Sequence, residues 1–282
     1  MSGSPRRRAR TAKNVSERSG GAARGAARAS GGRSEAPTLT ARRFIERMKA
    51  HRSAEELKKI QRYFKSGPGE YGEGDEFIGV RMGQVFALAK EFIDMPPAEI
   101  EKLLESPIHE VRAGALSIMD KQGRRKSTTE GRRQELFQLY LRRIDRINNW
   151  DLVDVCAPHV IGRHLADKPR AILYQLARSK NMWERRTAIV STCYFIKQGE
   201  VDDTFGIAEL LMRDDQDLIH KATGGWVREA GKRDRRRLLA FLDRHAATMP
   251  RTALRYAVEH LGKREREHYM RLRKADPRTR RR

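Results

Sequence analysis

The sequence contains few of the residues that crosslink small secreted domains or build metal sites. It has only two cysteines, Cys156 and Cys193, and its eight histidines form no HExxH motif and no Cys/His cluster. Two cysteines cannot provide a disulfide framework or a four-ligand structural zinc site. We therefore expect a protein of the reducing cytoplasm that holds no metal ion.

Long apolar runs and nucleotide-binding fingerprints are missing as well. No stretch approaches 18 uncharged apolar residues, and the basic start has no apolar segment behind it. We therefore expect neither a membrane span nor a secretory signal. The chain has no P-loop and no glycine fingerprint of a dinucleotide site, so no cofactor is predicted.

Acidic residues are strongly outnumbered by basic ones. Sixty Lys and Arg face 37 Asp and Glu among 282 residues, a formal net charge of +23. A field of this sign favours polyanionic partners, with nucleic acid as the first candidate. The two ends do not account for all of it, because residues 39–262 alone carry +9.

The charge and composition divide the chain into three parts. Residues 1–38 hold nine basic and two acidic residues among Gly, Ala and Ser, which predicts a disordered basic arm. Residues 39–262 form the predicted folded domain. Residues 263–282 hold ten basic and three acidic residues, which predicts a basic tail that can begin with a helix.

The folded part is predicted to be helical throughout. Apolar residues recur at spacings of three and four, without the alternation typical of strands. The longer helices of successive pairs begin near residues 182, 216 and 250, a period typical of solenoids built from helical pairs. The glycine-rich insert at 66–75 is expected to be a structured loop or a hinge between a helix ending near Lys65 and one starting near Met82.

The segment NNWDLVD, residues 148–154, opens a predicted helix. Asparagine is expected as the N-cap, and the position of Asp151 in the first turn is explained by capping. Asp154 follows Trp150 by four residues, so the indole and the carboxylate share one helix face. That pairing suits a site for a flat or sugar-like group. The alternative is a core tryptophan beside a solvated aspartate, and spacing leaves both open.

Two further segments contain candidate binding residues. Arg186 lies at the edge of an apolar stripe, where it could hold a phosphate, cover the core or form a salt bridge with a nearby carboxylate. Gly224 and Gly225 lie inside a predicted helix, at a cost of about 1 kcal/mol each relative to alanine. That cost suggests close helix packing or close approach of a ligand. Trp226 is either a core residue or an aromatic platform beside this opening.

Five segments, in this order, resemble the DNA alkylation repair family, the HEAT-like-repeat DNA glycosylases of the AlkD type. They are residues 63–81, 150–154, 183–205, 217–234 and 249–257. The resemblance covers roughly residues 40–262 and excludes both basic ends. The resemblance implies an all-α, right-handed solenoid of HEAT-like antiparallel helical pairs with a concave, basic face that grips duplex DNA.

The resemblance also implies an activity. It implies a monomeric hydrolase of base excision repair, a DNA-3-methyladenine or 7-alkylguanine type N-glycosylase that needs no cofactor, metal or membrane. Its partner is duplex DNA containing alkylated bases, which is cleaved without enclosing the base. Trp150 and Asp154 match the catalytic positions, and Arg186 matches the residue that fixes a phosphate. The DNA-binding residues are then Arg186, Lys221, Trp226 and Arg228.

One segment departs from the family pattern. A tryptophan normally follows a single glycine in this segment, but here Gly225 occupies its place and Trp226 comes one residue later. A shift of one residue turns a helical side chain by about 100°. Either the helix bends to restore the ring or the aromatic wall is missing. The latter raises the alternative of a catalytically silent protein that binds duplex or damaged DNA. A protein-interaction scaffold is a third hypothesis, which the charge disfavours.

Overall fold

The computed structural model describes residues 39–272, and their regular secondary structure is helical. The α-helices are α1 (Ala41–Lys49), α2 (Ala54–Phe64), α3 (Met82–Glu91), α4 (Pro97–Leu104), α5 (His109–Arg124), α6 (Glu130–Arg142), α7 (Trp150–Ala157), α8 (Ala171–Leu176), α9 (Met182–Ser191), α10 (Cys193–Gln198), α11 (Asp202–Leu211), α12 (Asp217–Arg233), α13 (Arg235–His245), α14 (Arg251–Ala257) and α15 (Lys263–Arg271). A 3₁₀ turn at Ile144–Arg146 and a π-helical turn at Pro158–Gly162 complete the set.

The helices pack as a repeat. Helices α3, α5, α7, α9, α12 and α14 contact one another in that order, as one row. Helices α4, α8 and α11 pack against α5, α9 and α12, respectively, as a second layer. The predicted all-α, helical-repeat fold is therefore confirmed. Within the described part of the chain, no helix is long and apolar enough to cross a membrane.

The ends of the chain are described only in part. The predicted basic arm at 1–38 lies outside the described residues, as does the tail beyond residue 272. Helix α15 forms the beginning of the predicted tail and packs on the repeat. Tyr269 is buried there, and its hydroxyl donates a hydrogen bond to Asp243 Oδ1 at 2.8 Å.

The spacing of apolar residues predicts one continuous helix over residues 183–197, but the structure has a break at Thr192 between α9 and α10. The Thr192 hydroxyl donates to the carbonyl of Ile189, and the Ser191 hydroxyl donates to that of Thr187, both at 2.7 Å. Such local bonds compete with the helical hydrogen-bond ladder. The chain then continues as α10.

The glycine-rich insert is a structured loop between α2 and α3. Glu110 holds its end, because the carboxylate accepts hydrogen bonds from the backbone N–H groups of Ile78, Gly79 and Val80 at 2.9–3.3 Å. Gly79 has a φ of 77°, and a Cβ there would lie 2.1 Å from the Ser53 carbonyl oxygen. Only glycine fits this position. The loop therefore fixes the approach of α2 to α3 and α5.

The two adjacent glycines of α12 have different structural roles. A Cβ at Gly224 would lie 2.2 Å from the Ala253 carbonyl oxygen and 2.8 Å from Tyr256 Cβ. Gly224 therefore permits the close crossing of α12 and α14. A Cβ at Gly225 would meet nothing within 4 Å, so packing does not require that glycine.

Alanine substitutions at these two positions are expected to change stability in opposite directions. Gly224→Ala forces the helices apart and lowers the free energy of unfolding by about 1–3 kcal/mol. Gly225→Ala removes backbone entropy from the unfolded chain without a clash and raises that free energy by about 0.5–1 kcal/mol. Urea denaturation of both variants measures the difference, and changes of the same sign would contradict the assignment.

Candidate active site

Helix α7 presents Trp150 and Asp154 from a firmly fixed start. The buried Asn149 is its N-cap, and its side-chain oxygen accepts the Trp150 N–H at 2.8 Å. The Asn149 amide donates to Asp75 Oδ2 at 3.0 Å, which ties α7 to the glycine-rich loop. The N-cap predicted from the sequence is confirmed, and Asp154 lies one turn after Trp150.

Trp150 is half-buried and lies between the core and open space. Its ring stacks on Phe64, with centroids 5.8 Å apart and planes 19° apart. The edge of Tyr63 approaches at 5.8 Å. Trp150 also lines two cavities, so it packs on the core and still presents part of its ring to a ligand.

Asp154 and Arg186 form a bidentate ion pair. Arg186 Nε donates to Asp154 Oδ1 at 2.9 Å, and Arg186 Nη2 donates to Asp154 Oδ2 at 2.7 Å. Arg186 Nη1 donates to the Leu218 carbonyl at 2.8 Å. The arginine side chain is 9% exposed and the aspartate side chain 37%. Asp154 is therefore partly exposed and paired with Arg186, and Arg186 binds a carboxylate where the resemblance implies a phosphate.

The electrostatics of the pair leave Asp154 as an accessible carboxylate. Burial raises the pKa of Asp154 above its ordinary value, and Asp151 adds to that rise. The charge and hydrogen bonds of Arg186 act against this rise and lower the pKa of Asp154. Arg186 is held by two anchors and fixes the orientation of both carboxylate oxygens. The arrangement is a rigid, partly exposed negative charge.

A cavity of about 270 Å³ lies on one side of Asp154. Its lining includes Arg186, Lys221, Trp226 and Arg228. Lys221 is exposed and pairs with Asp217 at 2.7 Å. Arg228 is partly exposed and pairs with Glu229 and Glu259. The structure thus brings all four predicted DNA-binding residues to the same cavity as Asp154.

Trp226 lines this cavity without restoring the position that Gly225 leaves empty. Helix α12 runs unbroken from Asp217 to Arg233, so no break of the helix moves the ring back by one residue. Gly225 also lines the cavity, and the space beside it is open. The cavity next to Asp154 is therefore wider than it would be with a tryptophan at residue 225.

Two more cavities adjoin the first. One of about 570 Å³ is lined by Trp150 and Asp154, and one of about 440 Å³ is lined by Trp150 and Lys221. Asp154, Trp150 and Lys221 are thus shared between neighbouring cavities. All six residues predicted from the sequence line this joined depression, although their roles in it stay predictions.

Sequence reasoning missed a buried charge network behind Trp150. His109 lies between two carboxylates, with Nδ1 3.1 Å from Asp75 Oδ2 and Nε2 2.9 Å from Asp151 Oδ2. Arg112 also pairs with Asp75. The explanation of Asp151 as a simple helix cap is therefore incomplete, since its carboxylate binds His109. No spacing in the sequence indicates that residues 75, 109 and 151 meet.

His109 and Asp75 are both charged at neutral pH. Burial acts to lower the pKa of His109, but hydrogen bonds to Asp151 and Asp75 raise it to about 9. Burial acts to raise the pKa of Asp75, but His109, Arg112 and Asn149 hold it at about 2. Asp75 lies in the glycine-rich loop and Asp151 in α7. The imidazolium therefore joins the loop to the helix that presents Asp154.

The His109 pairing predicts a specific dependence of stability on pH. The pKa of His109 rises from 6.5 to about 9 on folding, so its contribution is complete below the lower value and is lost as the pH rises through the upper one. The contribution is on the order of 3 kcal/mol. Urea unfolding at about pH 7 and about pH 10 should show this loss in the wild type. An equal loss in His109→Gln would contradict the assignment.

Comparisons with known proteins agree with this architecture. Residues 44–261 match the model of a family described as DNA alkylation repair enzyme. A solved structure described as a predicted DNA alkylation repair enzyme from Enterococcus faecalis superposes with a TM-score of 0.58 at 17% sequence identity. The match covers 76% of this chain and 98% of that one, and at this identity it supports the fold alone. No curated protein matches the sequence. Within residues 39–272, no group of three or more His, Cys, Asp or Glu side chains has an arrangement that could hold a metal ion.

Proposed function

This chain belongs to the DNA alkylation repair enzyme family, and from that premise we propose that it hydrolyses the N-glycosidic bond of alkylated purines in duplex DNA. One observation carries the proposal. Asp154 is a partly exposed carboxylate, fixed by the nearly buried Arg186, one helical turn from a half-buried tryptophan. A rigid negative charge of this kind suits a reaction in which positive charge develops on a sugar.

The chemistry follows from the substrate. Alkylation on a ring nitrogen gives the purine a positive charge, so the base leaves readily with the electron pair of the C1′–N bond. The deoxyribose then becomes oxocarbenium-like, as in glycoside hydrolysis. Asp154 stabilises that charge and orients the water whose oxygen bonds to C1′. The water loses a proton to the solvent, and the products are the neutral free base and an abasic site.

Trp150 is proposed to act on the same transition state. Its ring is held in place by Phe64, so one part of the indole stays available beside Asp154. Packing against the deoxyribose excludes water and adds cation–π stabilisation, worth about 2 kcal/mol when desolvated. Both residues lie on α7, so one helix provides the carboxylate and the aromatic surface. A single chain carries all six site residues, which supports action as a monomer.

Phosphate contacts are assigned to the cations beside Asp154. Lys221 is exposed, and Arg228 is partly exposed, in the cavity that Arg186 also lines. Contacts of this kind bind duplex DNA without regard to sequence and weaken steeply with salt. Arg186 itself is proposed to position Asp154, because its Nε and Nη2 donors are taken by that carboxylate.

Duplex DNA treated with a methylating agent tests the function. The protein is incubated with this DNA, released methylpurines are separated and counted, and binding is followed in parallel by fluorescence anisotropy. The proposal predicts release above the spontaneous rate of the DNA alone. Salt-sensitive binding without release would overturn it and favour the silent DNA-binding alternative, for which the open space at Gly225 is the structural argument.

A further inference from the structure

Lys65 is a cation of the joined depression that has no role in the proposed function so far. It directly follows Phe64, the last residue of α2, and it is exposed. It lines the cavity of about 440 Å³ together with Trp150 and Lys221. Lys65 comes from the end of α2 and Lys221 from α12, so two distant segments each bring a lysine to the cavity at Trp150.

Lys65 differs from the other cations of the depression because it has no carboxylate partner. The paired cations, each given with its partners, are Lys59 (Glu55 and Glu56), Arg186 (Asp154), Lys221 (Asp217) and Arg228 (Glu229 and Glu259). Within residues 39–272, Lys65 forms no ion pair. The first acidic residues after it, Glu70 and Glu73, accept backbone N–H groups of the loop at 2.9 and 2.8 Å. The Lys65 ammonium is therefore an uncompensated positive charge, which attracts a phosphate.

The backbone of Lys65 has an unfavourable conformation. Its φ is 46° and its ψ is 71°, and within residues 39–272 no other residue except glycine has a positive φ. Glycine is the usual residue at a helix end of this kind, because a side chain disfavours the left-handed region. The Gly72 N–H donates to the Lys65 carbonyl at 3.3 Å, so the loop closes over the end of α2 and fixes this turn. Backbone strain of this kind is found most often at functional sites.

We propose that Lys65 binds a backbone phosphate of the damaged strand, next to the deoxyribose that packs on Trp150. The inference rests on the proposed function and adds a phosphate contact to that same site. An ammonium without a carboxylate partner gives up no ion pair when it binds a phosphate, whereas Lys221 must share its charge with Asp217. Lys65 is therefore the cation of this cavity best suited to the contact.

The two groups of cations match the two phosphates that flank one nucleotide. Lys221 and Arg228 line the cavity that contains Asp154, whereas Lys65 lines the cavity at Trp150. A sugar in the DNA backbone has a phosphate on its 5′ side and another on its 3′ side. With Lys65 on one phosphate and the cations beside Asp154 on the other, the sugar is held from both sides. Such positioning places C1′ against the carboxylate.

Lys65→Asn tests the contact, because asparagine adopts the left-handed conformation more readily than most residues and carries no charge. The matched control is Lys58→Gln, which removes the charge of an exposed lysine on the same helix that lines none of the three cavities. Lys65→Arg keeps the charge, and the urea midpoint of each variant verifies folding. The probes are duplexes with one 7-methylguanine. One duplex is otherwise unmodified, and two others carry a neutral methylphosphonate in place of the 5′ or the 3′ flanking phosphate.

The dissociation constant is measured over a range of salt concentrations. Lys65→Asn should bind the unmodified duplex roughly tenfold more weakly than the wild type. Its log–log salt slope should be smaller by about 0.9, the value for one phosphate contact. Lys65→Arg and Lys58→Gln should keep nearly the wild-type slope. One of the two methylphosphonates should weaken the wild type as much as Lys65→Asn does and cause no further loss in that variant, while the loss from the other should add.

The outcomes separate the contact from the function, because base release is counted on the unmodified duplex beside binding. Wild-type affinity and salt slope in Lys65→Asn would overturn the phosphate contact, as would losses that add with both methylphosphonates. If the wild type releases base at the same time, the glycosylase function is kept. The predicted loss of affinity in Lys65→Asn, without base release from the wild type, would keep the contact and overturn the function.

Discussion

Asp154→Asn lowers the rate of base release from alkylated duplex DNA by on the order of 10²–10³-fold, the effect expected when one preorganised group facing the transition-state charge is lost. Asparagine has nearly the same shape, so the packing around α7 stays intact. The negative charge is gone, and the amide accepts only part of the Arg186 hydrogen-bond pattern. The oxocarbenium-like sugar therefore loses its counter-charge, while the cations that bind phosphate remain.

The measurement is the single-turnover rate of base release at saturating enzyme, with the dissociation constant for the same duplex measured beside it. Asp214→Asn is the matched control. Asp214 forms an equivalent pair with Arg185, the residue that directly precedes Arg186. That pair lines a different cavity, so the control should release base at nearly the wild-type rate. An equal loss of rate in Asp154→Asn and Asp214→Asn would indicate that the substitutions disturb the structure, and would contradict a catalytic role for Asp154.

Arg186→Met is the second large effect. Methionine fills the buried space but supplies neither the charge nor the two hydrogen bonds that orient Asp154. We expect base release to fall on the order of 10²-fold, since misplacement of a reacting group by about 1 Å has that consequence. Arg185→Met is the control, because Arg185 is the neighbouring arginine and pairs with Asp214.

A pH profile separates positioning from general loss of structure. Arg186 lowers the pKa of Asp154, so its removal raises that pKa. Release requires the ionised carboxylate, so the acidic limb of the pH–rate profile should move to higher pH in Arg186→Met. The limb should not move in Arg185→Met. A slower variant with an unmoved limb would contradict the assigned role of Arg186.

The sequence predicted the fold well because helix formation depends on residues that are close together in the chain. Helical spacing predicted helices that begin near residues 182, 216 and 250, and α9, α12 and α14 begin at Met182, Asp217 and Arg251. The break at Thr192 was missed because it depends on a hydroxyl group that donates to a nearby carbonyl and so competes with the helical hydrogen bonds. That competition has no signature in the apolar pattern.

The candidate site was predicted in part for the same reason. Trp150 and Asp154 share one helix, so spacing alone could pair them. Arg186 lies 32 residues later, and only the contact between α7 and α9 shows that it meets Asp154. Its bond to a carboxylate could not be separated from a phosphate role by sequence. The resemblance to a family identified the residue, while the geometry indicates what it touches.

The features of the site that could not be predicted from the sequence depend on tertiary contacts. His109 joins Asp75 to Asp151 across a buried contact of three distant segments. The cavity of about 570 Å³ depends on how α2 and α3 pack on α7, which no single segment encodes. Tyr63 and Phe64 precede the glycine-rich loop, and this adjacency was the one signal in the sequence that could have directed attention to the cavity.

The proposed function depends most on hydrolysis of the glycosidic bond by a water molecule that the carboxylate of Asp154 orients. The direct measurement is single-turnover incubation of a duplex bearing one 7-methylguanine, with free base and abasic site quantified together by mass spectrometry. The proposed function predicts both products in equal amounts from the wild type, and release on the order of 10²–10³-fold slower from Asp154→Asn. The opposite result would contradict it: the wild type binds the duplex but releases no more free base than the DNA alone loses spontaneously.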